Sequence, residues 1–308
     1  MELIGLLKSV RSLSRSKKEE TITAYLFLLP VILLWLIWFL VPTIQSFCIS
    51  FYQYSFVQVS QNHFVGFDNF FKALTEPDFY QALKHTLFLA FVAVPVQSII
   101  ALLLAMALNW KIRFKGGFRT IFYTPYVVSS IAVTTVFMYF FVMDTPVTKF
   151  FSIFGIDNTT WYADFKLSLP FIAIIYVWQQ IGFYIVIFLA GLQTIPVELH
   201  ESGKVDGADS VKRFFYITLP MLKPVVFLVL TFGMIQALQV FDQVAAVAQN
   251  QPLGSPAGAT STLVSYFYVQ SFKNWDMGYG SAIAILLFVV IFIVTMVQKK
   301  LLDEGADS

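Results

Sequence analysis

Ser168-Leu-Pro-Phe-Ile-Ala-Ile-Ile-Tyr-Val-Trp-Gln-Gln-Ile-Gly-Phe-Tyr-Ile-Val-Ile-Phe-Leu-Ala-Gly-Leu192 carries no charged residue. A helix rises about 1.5 Å per residue and a bilayer's hydrocarbon core is about 30 Å thick, so roughly 20 mostly apolar residues make one crossing. The quoted stretch is long enough. It also exceeds the roughly 10-residue alternating segments of a membrane barrel, which makes it a helix and not a strand. Ile22–Ile44, Thr86–Leu108, Thr120–Met143, Pro224–Ala246 and Gly278–Val297 read the same way. The expectation is an all-α polytopic membrane protein with six transmembrane helices. Pro30, Pro95 and Pro125 fall inside these spans and mark candidate kinks.

Composition agrees. Of the 308 residues 58% are hydrophobic and 12% charged, against about 25% charged in a typical soluble domain. A formal net charge of +2 is too small to suggest a nucleic-acid partner. The single cysteine, Cys48, cannot close an intramolecular disulfide, and no Cys/His spacing suggests a metal or haem site. Basic residues precede the first apolar run as in a signal peptide, but the run is too long and lacks a small-residue cleavage site, so it reads as an uncleaved first span.

Orientation follows from the distribution of Lys and Arg. The side shared by the termini carries fifteen, from Lys8 through Lys111, Arg119, Lys204 and Lys212 to Lys300; Lys72, Lys84, Lys149, Lys166 and Lys273 lie opposite, making up the 20 of the chain. Both termini are therefore expected in the cytoplasm, with a basic segment at 1–21, the membrane domain at 22–298 and a short tail at 299–308. Trp161, Tyr162, Trp275 and Tyr279 on the far side read as an interfacial aromatic belt.

The fourth and fifth spans are joined by a long polar segment, 193–223, containing Pro196-Val-Glu-Leu-His-Glu201-Ser-Gly-Lys-Val-Asp206-Gly207-Ala-Asp and Ile217-Thr-Leu-Pro220. Its punctuation predicts two short helices: one begins after Pro196, the chain breaks at Gly207 where positive φ costs nothing, and the second ends before Pro220. Such an element lies on the inner membrane face, where a soluble partner can grip it.

This segment resembles the EAA signature of ABC importer permeases, with Glu201, Gly207, Ile217, Leu219 and Pro220 at the matching spacing. Asp206-Gly207-Ala208 with Phe214 resembles the carbohydrate-uptake, maltose and multiple-sugar branch, as do Phe118-Arg119-Thr120, Val240-Phe241-Asp242 and Gly258-Ala259-Thr260. Ser202 and Gly203 stand where the pattern has Ala-Ala, and Gly203 would loosen its helix by about 1 kcal/mol. The resemblance implies the type I importer permease architecture and a coupling role for Glu201, Ser202, Gly203, Asp206, Gly207 and Ala208. It also implies a second homologous permease subunit, a cytoplasmic ATPase dimer and an extracytoplasmic solute-binding protein, in a bacterial inner membrane. No Gly-x-x-x-x-Gly-Lys-Ser/Thr loop is present, so ATP and Mg belong to the ATPase, and this chain is expected to carry no cofactor and no catalytic residue.

Polar groups at bilayer depth usually face the bundle interior or a water-filled cavity. Gln236, Gln239 and Gln243 fall within about 60° of one another on an ideal helix, while Tyr176, Gln180 and Tyr184 repeat at four-residue spacing beside Gln179. Amides beside aromatic faces suit a sugar, with its hydroxyls and apolar ring faces; equally, such amides could only bridge helices. The absence of Lys and Arg at mid-membrane depth argues against a phosphorylated substrate. Rival readings are an importer subunit for a glycerol phosphate ester, a secondary transporter, which would show paired interrupted helices in two related halves, and a membrane enzyme, against which the scattered His63, His85 and His200 speak.

Overall fold

Apolar runs this long can satisfy their backbone in lipid only as helices or a closed barrel, and helices are what the computed structural model contains. It describes residues 15–303 apart from 58, 111–113 and 250. Expectations that rest on 1–14, on Lys111 and Arg113, or on 304–308 lie outside the described residues.

Among the described residues, Glu20–Ile49, Pro77–Asn109, Ser168–Gln193, Lys223–Ala248 and Met277–Leu301 are long and apolar enough to cross a bilayer. Gly116–Val127 and Ser130–Phe140, a pair bent by 97°, occupy the place of the third span and bring the count to six. The third span is thus not the continuous helix Thr120–Met143 that hydropathy suggests. Pro125 removes the N–H that would bind one turn back, and Val128 and Ser129 turn extended at ψ 144° and 129° before the second segment begins.

The fifth span also departs from expectation. Its helix Lys223–Leu238 stops at Gln239 (φ −109°, ψ 17°), and a second helix, Asp242–Ala248, starts after Phe241 (φ −135°, ψ −50°). Pro30 lies within the unbroken α-helix Arg15–Trp35, while three other prolines are absorbed by local widening. Wide π turns at Leu36–Leu40, Leu89–Ala93 and Phe214–Thr218 precede Pro42, Pro95 and Pro220, keeping each helix running where a proline ring would strike a carbonyl.

The fourth span is the axis of the bundle: 56% of its most apolar stretch is buried, against none for the first span. Phe171, Ile172, Tyr184 and Phe188 fill its core faces. Glycine sets its approach to the bent third span, because a Cβ on Gly182 would lie 1.9 Å from the Phe122 carbonyl oxygen. Small residues commonly permit such contacts between membrane helices. The first span shows its apolar surface outward all round, as lipid or a neighbouring membrane chain requires.

At the end of the bundle away from the 193–223 segment, β1 (Tyr52–Gln53) pairs antiparallel with β2 (His63–Phe64). The last span docks on this hairpin, since Met277 and Gly278 donate N–H bonds to the Tyr54 carbonyl at 2.9 and 3.2 Å. Glu76, just before the second span, accepts from the Tyr266 and Tyr279 hydroxyls at 2.5 and 2.6 Å. Lys72 sits 3.9 Å above the Tyr279 ring and 3.4 Å from Asp276. Burial raises the Glu76 pKa, but the two phenol bonds and Lys72 outweigh it and leave the carboxyl below its usual value. Burial first, then Glu76, pushes the Tyr266 phenol up to about 12. Trp161 and Tyr279 are 2% and 0% exposed, so these two are core residues and not an interfacial belt; Trp161 packs against Phe141 and Phe151 at 5.0 and 4.9 Å.

Candidate functional site: coupling segment and transport path

The polar 193–223 segment folds as a helix, a stop and a second helix. Pro196, in extended conformation, opens Val197–Val205. Its end is closed by Ala208 N–H to the Gly203 carbonyl at 2.8 Å and Gly207 N–H to the Lys204 carbonyl at 3.1 Å. Gly207 takes φ +76°. This is the Schellman arrangement, which favours glycine at its left-handed position. Two residues on, the Asp209 carboxylate accepts from Lys212 N–H at 2.7 Å and caps Ser210–Arg213. Asp-Gly-Ala-Asp is therefore a stop signal followed directly by a start signal. The second helix does not end before Pro220; through the π turn it continues to Met221.

The predicted coupling residues divide by exposure. Glu201, Ser202, Asp206 and Gly207 are exposed, Ala208 is half-buried and Gly203 is buried. A Cβ on Gly203 would stand 2.9 Å from the Ile217 Cδ1, so glycine here brings the two short helices together, and the departure from Ala-Ala tightens the packing that it loosens in propensity. Val205, Val211 and Tyr216 are 87%, 62% and 81% exposed. The segment thus presents apolar side chains and acids on a surface away from the bundle, as a docking element does.

Inside the membrane domain, the two broken spans are joined by amides. Gln179 Nε2 donates to the Val128 carbonyl, freed at the third-span bend, at 3.0 Å. Gln243 Nε2, just past the fifth-span break, donates to Gln179 Oε1 at 3.1 Å. Both side chains are buried, 2% and 4% exposed. Gln236 and Gln239 are exposed from this chain instead. The single stripe of three amides does not form, because the break at Gln239 turns Gln243 inward to Gln179. Likewise Tyr176 and Tyr184 are buried while Gln180 is half-buried at the edge of that face; four-residue steps drift about 40° each around a helix.

Residues 97–307 match the family described as binding-protein-dependent transport system inner membrane component. The chain belongs to this family. Among its relatives, the arabinooligosaccharides transport system permease protein AraP of Bacillus subtilis (strain 168) is 36% identical, over 94% of this chain and 91% of that one. The trehalose/maltose transport system permease protein MalF of Thermococcus litoralis is 33% identical, over 93% and 96%. A chain in the crystal structure of a bacterial ABC transporter that imports the acidic polysaccharide alginate superposes with a TM-score of 0.79 at 23% identity, covering 94% and 98%. That likeness bears on fold, and the fold is that of an importer permease.

Sequence reasoning passed over one polar residue of this permease. Gln97, in the second span, is fully buried beside the Tyr184 hydroxyl, and among the described residues neither of these two groups nor the Tyr176 hydroxyl makes a well-formed hydrogen bond. A Cβ on Gly233 would lie 3.1 Å from Gln97 Nε2 and 3.3 Å from the Tyr184 hydroxyl, so the second, fourth and fifth spans converge here with their polar groups together. Buried polar groups left unpaired cost about 1–3 kcal/mol each. Gln97 interrupts an otherwise apolar run, and the rule that singles out Gln179 applies to it equally.

Proposed function

We propose that this permease passes a neutral sugar or oligosaccharide inward across the cytoplasmic membrane, driven by a separate ATPase that docks on the 197–221 helices. The observation that carries the coupling role is the Schellman stop at Gly207 followed by the Asp209 cap, which holds two short helices together as one exposed body projecting from the fourth and fifth spans. Force applied to such a body reaches both spans, and the fifth is already broken near its far end. Both termini lie on this side in the proposed orientation, following the charge split.

The substrate class rests on relatives whose names specify arabinooligosaccharides and trehalose/maltose. Exposed Gln236 and Gln239, with half-buried Gln180, would face a second permease subunit across the path, and an extracytoplasmic binding protein would deliver sugar to the opposite end. Neutral cargo fits the middle of the described spans, where no Lys or Arg stands.

The test is Gly207→Pro together with Glu201→Lys. Proline cannot adopt positive φ, and lysine reverses a charge expected to face the partner. Each variant should insert and bind its membrane partner while losing ATPase copurification or sugar-stimulated ATP hydrolysis. Wild-type uptake in both would refute the coupling role.

A further inference from the structure

Two cavities open at the end of the bundle away from the coupling helices, and they share one residue, Asn274. The first, about 240 Å³, lies between the β1–β2 hairpin and the turn before the last span, with Tyr54, Asn62 and Trp275 among its walls. The second, about 650 Å³, runs from Asn274 and Lys273 past Tyr268 to Phe241. Phe241 is the residue at the fifth-span break. The two cavities therefore adjoin at Asn274, one reaching the outer loops and the other the point where the candidate path begins.

The walls of these cavities are of a particular kind. Trp275 is 48% exposed and held at φ +59°, a conformation that L side chains rarely adopt and that persists only where the surroundings fix it. The fixing is visible: Asp276 N–H bonds the Gln270 carbonyl at 2.9 Å, and Asp276 carboxylate oxygens accept from Tyr279 N–H and from Lys72. Further along, the Phe241, Tyr268 and Phe272 rings form a run with centroid distances of 5.1 Å between neighbours. Aromatic faces alternate with amides, since Asn274 donates to Gln270 Oε1 at 2.9 Å and Asn62 accepts from Ser55 N–H at 2.8 Å. Bonds to neighbours hold both amides in fixed orientations while they line the cavity, and amides keep further donor and acceptor capacity for a ligand.

We propose that this pair of cavities is an access track for oligosaccharides, in which Trp275 and then Tyr268 and Phe241 stack successive sugar rings while Asn274 and Asn62 bond their hydroxyls. Sugar rings offer an apolar face and an equatorial rim of hydroxyls, which fits rings and amides in alternation. Two adjoining cavities fit a chain of rings better than one ring. A docking surface for the side chains of a delivering protein is the competing occupant; that Trp275, Asn62 and Asn274 line a cavity together, an aromatic face beside two amides, favours the sugar.

This inference rests on the carbohydrate reading above. Its test uses the whole complex, copurified with its partners and reconstituted in proteoliposomes, with arabinose, arabinotriose, maltose and maltotriose as probes. Trp275→Ala and Tyr268→Ala should each raise the apparent KM for a transported trisaccharide about threefold to tenfold, as loss of one ring contact does. Uptake of the shorter sugar and copurification of the binding protein should stay unchanged, and Trp275→Phe should restore most of the loss. An equal loss for short and long sugars, an unchanged KM for the trisaccharide, or weaker binding-protein copurification would each overturn the track. If the wild-type complex takes up none of the four sugars, the carbohydrate reading itself fails, and the track with it.

Discussion

Gly182→Ala should weaken the membrane domain by an amount the structure sets. The added Cβ would stand 1.9 Å from the Phe122 carbonyl oxygen, 2.7 Å from its carbon and 2.9 Å from the Tyr123 Cα. All three are backbone atoms, so no rotamer change relieves the overlap. The segment of the third span before its bend must retreat from the fourth by about 1.5 Å to restore van der Waals contact, and overpacking of this kind costs about 1–3 kcal/mol. The same retreat pulls the Val128 carbonyl away from Gln179. A control lies in the facing third-span segment: Gly117 has open space around its would-be Cβ, so Gly117→Ala should stabilise by up to about 1 kcal/mol through helix propensity. The two alanines thus differ by about 1–4 kcal/mol, the first destabilising and the second not. Equilibrium denaturation in mixed micelles, followed by near-UV circular dichroism, separates such variants. Equal midpoints for the two would refute the close helix approach on which the bundle geometry rests.

Other consequences can be checked alongside. Gln179→Leu should cost about 1–3 kcal/mol, because it leaves the Val128 carbonyl and the Gln243 amide unpaired; the Gln179→Leu, Gln243→Leu double variant should cost less than the sum of the two, and strict additivity in a denaturation cycle would dissolve the bridge. With Cys48 replaced by serine, cysteines at Lys212 and Asn158 should label from opposite faces in intact cells, and labelling from one face would end the proposed orientation. Glu76 has a depressed folded pKa, so its contribution is present above the unfolded value, near 4.5, and is lost as pH falls through the folded one. A drop in thermal midpoint confined to pH below about 4.5, absent in Glu76→Gln, is the expected record. Gln236→Leu and Gln239→Leu should each lower apparent sugar affinity about threefold to tenfold without harming assembly; a defect in assembly alone would make them bridging residues.

Much of the fold was legible in the chain because bilayer depth converts directly into run length: the quoted Ser168–Leu192 stretch and the helix Ser168–Gln193 differ by one residue. The turn at Gly207 was legible as well, since Gly207 and Pro196 act through their own backbone dihedrals. The bends were not. Val128 and Ser129 look like any apolar helix until Gln179, 51 positions away, accepts the role of partner for a freed carbonyl. For the same reason the Gln236–Gln239–Gln243 stripe, drawn on an ideal helix, failed at Gln239. Pro220 was read as a stop because its ring strikes the carbonyl one turn back and it has no N–H to donate, whereas a π turn let the helix pass. Trp275 and Tyr279 looked alike as belt residues, yet Tyr279 is buried on Glu76 and Trp275 faces a recess, a difference fixed by contacts across more than 190 positions.

The most direct test of the account is uptake of labelled arabinotriose and maltotriose by proteoliposomes holding the complex that copurifies with this chain, with ATP sealed inside and the binding protein outside. The account predicts saturable accumulation of at least one of the two that stops when either ATP or binding protein is withheld and is indifferent to proton and sodium gradients. Accumulation without ATP, driven by an ion gradient, would contradict it.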